Sequence, residues 1–322
     1  MYFPYLYGKQ KELIAVRLLS NRLAIEASVQ PVLEPVRTDA ATLKITLKLC
    51  EKSKLNTWLV LNPQLSRFRG HEPDAALAWG VETMGALATR EYIRPTLMLS
   101  ERLQLSTVKA FNDRFKGESV GLVVIPESKD IEKSLSALKS VKLDRVFFKG
   151  PHPSMANVAL AGKHRSVWVE DRFPYRSRNA DYEGSHFFTD RHATFFTSGW
   201  GGFSDYALMA PVPRDGGGPP GAVAFHLSYF DKSNPQKHVH VEHFVSDRQE
   251  QSDNDTDGKF LEALGKFQRA SKRTGSSFGL TGAASEYLAR HKSSTPPDLA
   301  TNKQLGVMHH LDLMSGLLAG RF

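Results

Sequence analysis

The chain has 322 residues, 41% hydrophobic and 24% charged, a balance that fits a globular protein and excludes a wholly disordered one. Lys and Arg number 42 against 34 Asp and Glu, a net charge of +8. That excess favours anionic partners such as nucleic acid, phosphate compounds or acidic proteins, although many soluble proteins are simply basic. The single cysteine, Cys50, excludes an internal disulfide, and no apolar run reaches the length of a membrane span. The first six residues lack the basic region and small-residue cleavage site of a signal peptide, so a cytoplasmic protein with no membrane partner is expected.

Short apolar runs then follow one another at 2–6, 29–33, 57–61, 94–99, 120–125, 145–149 and 166–169. Several end at a turn former: Gly8, Pro35, Pro63, Pro126 and Gly150, which predicts strands. Between them the spacing is helical, as in Leu13, Val16 and Leu23, or Leu77, Val81 and Met84, or Ile131, Leu135 and Leu138. Cys50 closes the apolar pattern Leu43, Ile45, Leu47, Leu49 and reads as a small core residue rather than a reactive thiolate. Strands a helix and a loop apart cannot pair through hairpins; they need parallel neighbours and right-handed crossovers. With an eighth strand at 193–197, the count and length predict an α/β fold of the (β/α)8 TIM-barrel type. An open doubly wound sheet is the competitor, but the first loop, Tyr7-Gly8-Lys9-Gln10, is not a Gly-rich phosphate loop.

The pattern changes after residue 171. The Pro- and Gly-rich stretch 211–221 reads as a loop, 222–230 and 237–245 as an antiparallel pair, and 246–257 as a mobile acidic loop. Helices are predicted over 258–273 and 305–318. The expected division is a barrel core over 1–210, with 211–322 as a hairpin, loop and closing helices packed on the same barrel or completing it.

In a barrel, residues at the carboxyl ends of the strands converge on one face however far apart they lie in sequence. That reading selects Lys9, Glu34, Asn62, Glu127, Lys149, Glu170, Asp171 and Asp205. Glu34, Asp171 and Asp205 are the candidate catalytic carboxylates, able to serve in acid/base work or to hold a divalent metal. Lys9, Asn62, Lys149 and Arg172 are the candidate ligand-holding residues. The plain alternative is that strand ends meet solvent and are charged for that reason. The Gly/aromatic segment 198–206 reads either as a pocket cover or as a tight turn after the last strand.

Other features are weaker. His238, His240 and Glu242 share one face of the predicted strand and could bind a transition metal with a third partner. One of His309 and His310 is expected to face the core. Gly275 to Gly279 fits G-x-S-x-G but follows a helix instead of the strand that the nucleophile motif needs. Lys266, Arg269, Lys272 and Arg273 recur at helical spacing; with the basic residues of 163–178 they form the candidate nucleic-acid surface, or else a solvated helix face.

The opening Met1-Tyr-Phe-Pro-Tyr-Leu-Tyr-Gly-Lys-Gln-Lys-Glu-Leu13, with Pro31-Val-Leu-Glu-Pro35, resembles the start of the bacteriophage "beta protein" family and its bacterial relatives. Gly202-Phe-Ser-Asp-Tyr206 resembles that family's Gly-Phe-x-Asp-Tyr segment, and Met308-His-His-Leu-Asp-Leu-Met314 the closing helix of one subgroup. The resemblance carries no established activity. It implies a setting among phage-conflict genes, a role in defence against phage, and Lys9, Glu12, Glu34 and Asp205 as the family positions. The resulting expectation is a barrel that acts on or senses a phosphate-bearing ligand, nucleotide or nucleic acid, with Lys9 and Lys149 on the anion. The alternative is a non-catalytic module that partners a nuclease or other effector from the same locus.

Overall fold

The computed structural model describes residues 1–212, 221–273, 276–279 and 281–322. Residues 213–220 of the predicted Pro/Gly loop, and Gly275 of the G-x-S-x-G match, lie outside these. The chain forms two compact units. The first comprises Met1–Asp171 and Thr194–Ala207 with 211–212. The second comprises Arg172–Ala193, Leu208–Ala210 and the described residues after 220. The division therefore falls at Asp171 rather than at 210, because 172–193 contributes a strand to the second sheet.

Seven strands run in order through the first unit: β1 (Tyr5–Leu6), β2 (Val32–Leu33), β3 (Thr57–Val60), β4 (Ile93–Leu99), β5 (Ser119–Val124), β6 (Lys142–Lys149) and β7 (Ser166–Glu170). β8 (Ser185–Thr189) belongs to the second unit, and β9 (Gly202–Asp205) completes the first. The order β1-β2-β3-β4-β5-β6-β7-β9 is parallel at every step. The crossovers carry α1 (Gln10–Glu26), α2 (Ala41–Ser53), α3 (Pro73–Met84), α4 (Leu105–Arg114), α5 (Ile131–Ala137) and α6 (Met155–Ala161). The sheet nearly closes on itself. Tyr2 bridges Phe203 in parallel, and Phe3 N donates to the Phe203 carbonyl at 2.9 Å. This is an eight-stranded parallel barrel of alternating strands and helices.

The eighth strand is not the predicted 193–197, where the short α7 (Arg191–Thr194) ends. It lies in the segment read as a loop. A Cβ on Gly202 would sit 2.5 Å from the Phe3 ring and 2.7 Å from the Met1 carbonyl oxygen, so the glycine there lets β9 approach the first strand closely. The 41–53 pattern that alternates in sequence is a helix. Leu43, Leu47 and Cys50 are buried at helical spacing, while Ile45 is 49% exposed.

Side chains alternate across each strand, and the inward set, including Phe3, Tyr5, Trp58, Met98, Phe147 and Val169, fills the barrel. Those side chains pack against one another in the barrel interior.

The second unit contains an antiparallel sheet of order β12-β10-β11-β8, with β10 (Ala224–Asp231), β11 (Val239–Val245) and β12 (Ser276–Ser277). β10 and β11 are the predicted hairpin, in the register Phe225↔Phe244. α8 (Thr256–Ala270) and α10 (Leu299–Leu318) match the predicted helices, and α9 (Gly282–Ser293) is an addition. Phe225, Phe244, Phe260, Phe267 and Tyr287 centre the core. The acidic stretch 246–257, expected as a mobile loop, folds around two cations. Arg248 pairs with Asp253, Asp255 and Glu262, and the fully buried Lys259 donates to the carbonyls of Glu250 and Asp253. Among the described residues, no helix is long and apolar enough to cross a membrane.

Candidate functional site

At the carboxyl ends of the barrel strands, the alternation decides which residues look inward. Glu34 follows inward Val32 at the end of β2 and is fully buried. Its Oε2 accepts from the Tyr5 hydroxyl at 2.6 Å and from Lys149 Nζ, at the end of β6, at 3.3 Å. Its Oε1 is buried and has no hydrogen-bond partner among the described residues. The Lys149 side chain is 12% exposed. Its ammonium lies 4.3 Å from the centre of the Tyr5 ring, 5.5 Å from Tyr7 and 6.0 Å from Tyr206, a cation–π cage closed on one side by the Glu34 carboxylate. Tyr7 and Tyr206 stack at 6.0 Å and 14°. Burial, and after it the Glu34 charge, holds the Tyr5 phenol well above the ordinary tyrosine range. Tyr206 is raised by burial first, then by Glu34 and Asp171. The phenols around Glu34 are therefore proton donors.

Of the three predicted carboxylates, the charges of Glu34 and Asp171 both raise the Tyr206 phenol. Asp205 faces the other way. It is paired in register with Glu170, on the outward side, and its Oδ1 accepts from Tyr2 Oη at 2.6 Å and from the Ala207 amide at 2.7 Å. Adjacent strand residues face opposite ways, so the rim residue at the end of β9 is Tyr206. The conversion of a strand end into a rim position omitted that parity.

The remaining predicted residues divide in the same way. Asn62 is fully buried and uses both ends of its amide on Met98, donating to its carbonyl at 2.8 Å and accepting from its N–H at 2.7 Å. It extends the β3–β4 pairing and is not a ligand holder. Lys9 stands at the amino-terminal boundary of α1. Glu12 is buried and accepts from the Tyr7 amide at 2.7 Å, fastening the loop after β1. Arg172 belongs to the second unit, so it is not counted with the rim. At the starts of α1 and α2, a hollow of about 230 Å³ is lined by Gly8, Gln10, Pro35, Arg37, Asp39 and Thr42 among others, Glu34 not being one of them. The amino ends of both helices lend it partial positive charge.

The basic stripe does not assemble. α8 ends at Ala270, which takes Lys272 and Arg273 off the helix. Lys266 donates to the Val245 carbonyl at 2.6 Å and pairs with Asp247 at 2.7 Å, and Arg273 pairs with Glu242; Arg269 and Lys272 stay exposed. The expected metal face is also dispersed. His238 bonds to Gln236 and Asn234, His240 stacks on Tyr229, and Glu242 is held by Arg273. Among the described residues, no three His, Cys, Asp or Glu side chains are placed to hold a metal ion.

Both His309 and His310 are fully buried, where one was expected to be. His309 Nε2 lies 2.6 Å from the Ser228 carbonyl, so it donates. Nδ1, 2.8 Å from the Thr281 hydroxyl, is then the acceptor of a neutral ring. Burial pushes His309 down to about 4. The sequence reading missed a chain of three imidazoles across neighbouring strands. His226 Nδ1 meets His243 Nδ1 at 2.7 Å, and His243 Nε2 meets His186 Nδ1 at 3.0 Å. The hairpin register, His226↔His243, was the available signal. Burial first, and the neighbouring histidine second, holds both His226 and His243 well below the ordinary range.

Fold and rim together define a parallel α/β barrel with a Glu–Lys–Tyr cluster at its carboxyl end. No family model matches the chain, and no curated protein matches it. Among solved structures it is similar to N-acetylneuraminate lyase from Mycoplasma synoviae, with TM-score 0.35 and 9% identity over 64% of this chain and 69% of that one. It is also similar to CpGH84B, with TM-score 0.35 and 12% identity over 64% of this chain and 44% of that one. Likenesses of this size say nothing about ligand or reaction.

Proposed function

We propose that the protein binds a nucleotide at the carboxyl-end rim of its barrel and acts on it or senses it there, as a cytoplasmic component of the phage defence that its resemblance implies. The observation that carries this reading is the divided state of Glu34. Tyr5 and Lys149 hold one oxygen and orient the other, which is buried without a partner. An unsatisfied buried acceptor costs about 1–3 kcal/mol, and a sugar hydroxyl or base amino group would satisfy it. Tyr7 and Tyr206, buried and stacked on each other, wall the cluster with aromatic rings. The hollow at the starts of α1 and α2 would take the phosphates on Arg37 and the two helix amino ends, with Asp39 as the one acid in its lining. Lys149, already bound to Glu34, orients the carboxylate and is not the primary anion holder. A free nucleotide fits better than nucleic acid, because the basic stripe does not form.

The test is calorimetric titration of the full chain with ATP, GTP and their monophosphates. Saturable binding that weakens at least tenfold in Glu34→Gln, and less in Arg37→Ala, is expected. No binding of any nucleotide, or equal affinity in Glu34→Gln, overturns the reading in favour of a module that partners an effector protein. If the bound nucleotide is recovered unchanged, the protein is a sensor and not an enzyme.

A further inference from the structure

Entirely within the second unit, a cavity of about 740 Å³ opens among β10, β12, α8 and α9, in the size range of small-molecule sites. Its walls are apolar and mostly aromatic: Phe230, Phe267, Phe278, Ala284 and Leu288. Its polar side chains are Lys232, Lys237, Arg321 and the serines 271, 277 and 285, with no acidic side chain among the lining residues. Arg321 is turned to Asp312 at 2.6 Å. Lys237 donates to the Phe322 main-chain oxygen, which leaves two of its three N–H donors. Lys232 is exposed and has no partner among the described residues.

An apolar chamber with a cationic mouth asks for an apolar body with an anionic end. Burying rings against these walls is favourable, whereas an anion placed there without a cation is not. Phe322 shows the chemistry already accepted on one wall. Its ring stacks on Phe230 at 5.9 Å and 24°, with the Arg321 guanidinium 4.4 Å over its face and Lys237 on its oxygen. The seat is cut for a ring. A Cβ on Gly316 would overlap the Phe322 ring, and one on Gly279 would lie 2.9 Å from it. Ser277, the serine of the G-x-S-x-G match, lines the same space with its Oγ accepting from the Gly279 amide at 3.2 Å. No histidine or acid lines the cavity to activate it, so the space reads as a binding site.

We propose that this cavity binds an aromatic carboxylate, with its rings against Phe230, Phe267 and Phe278 and its carboxylate at Lys232 and Lys237. The site is independent of the barrel rim. Calorimetric titration of the full chain with 2-naphthoate, and with 2-naphthalenemethanol as its uncharged counterpart, tests it. One saturable site with at least tenfold preference for the acid is expected. The double variant Lys232→Glu/Lys237→Glu should weaken the acid at least tenfold, and Ser285→Trp, placed at the exposed edge, should block it. Glu34→Gln should leave it unchanged, which separates failure here from failure at the rim. Absence of saturable binding to the unaltered chain, or equal affinity for acid and alcohol, overturns the proposal without reference to any variant. So does full affinity in either cavity variant whose melting curve shows it folded.

Discussion

The barrel rim and two histidines of the second unit, His309 and His243, both bury polar groups away from water, and they treat them in opposite ways. At the rim, strands from distant parts of the chain deliver Tyr5, Glu34 and Lys149 to one point, and one carboxylate oxygen is left open. In the second unit, His309 uses both ring nitrogens on Thr281 and Ser228, and His243 uses both on His226 and His186. Those contacts are closed. A closed polar cluster specifies a fold, whereas an open one has chemistry to spare. Burial and unusual titration occur in both regions; what separates Glu34 from His309 and His243 is the oxygen that has no hydrogen bond among the described residues.

Breaking the rim pair should have the largest effect. Glu34→Ala leaves the Lys149 ammonium, 12% exposed, without its carboxylate. Loss of one partner of a buried pair costs about 3–5 kcal/mol. Urea denaturation should show that loss, with a smaller one in Glu34→Gln; an Ala variant as stable as the parent would mean the pair is not coupled. Next comes packing. A Cβ on Gly80 in α3 would overlap the Leu61 carbonyl oxygen, so Gly80→Ala should destabilise the barrel by about 1–3 kcal/mol. Gly306→Ala in α10 meets nothing within 4 Å and should leave the melting temperature unchanged or raise it.

The closed cluster should answer to pH. His309 is held near 4 in the fold, below its ordinary value, so the unfolded chain takes up a proton first as pH falls. Its contribution is fully present above the ordinary range and is lost on the way down to the folded value. The slope is up to about 1.4 kcal/mol per pH unit for one proton. Unfolding free energy should drop from pH 7 to pH 5, and drop less in His309→Gln; an equal drop in the variant would show that the ring takes up its proton alike in the folded and unfolded chain. The carboxylate parity can be tested separately. Asp205→Asn should lower stability with nucleotide affinity unchanged, whereas Glu34→Gln should lower both. Smallest of all, the Cys50 thiol is fully buried and pushed up by that burial to about 11. It should resist a disulfide exchange reagent in the native chain and react only after denaturation.

Much of the fold was legible because its signals are local. An apolar run, a turn former and a helical stripe repeat along 1–170, and each strand was placed to within a few residues. β9 was not legible, since Gly202 is explained by the Phe3 ring and not by its own neighbours. α9 presents only a thin buried stripe, Ala283, Ala284 and Tyr287, and β8 has polar residues at both ends. At the site, Glu34 and Lys149 were recoverable from strand ends alone. Tyr5, Tyr7 and Tyr206 were not selected, because a tyrosine in an apolar run reads as core until its hydroxyl has a partner.

By itself the sequence determined the alternation of strands and helices, their parallel connection and hence the barrel, because backbone propensity and hydrophobic period act over a few residues. Only the tertiary structure decided which face each strand-end side chain takes, and which oxygen of Glu34 stays open. Those outcomes depend on close approaches between segments far apart in the chain, such as Tyr2 with Asp205 and Lys149 with Glu34.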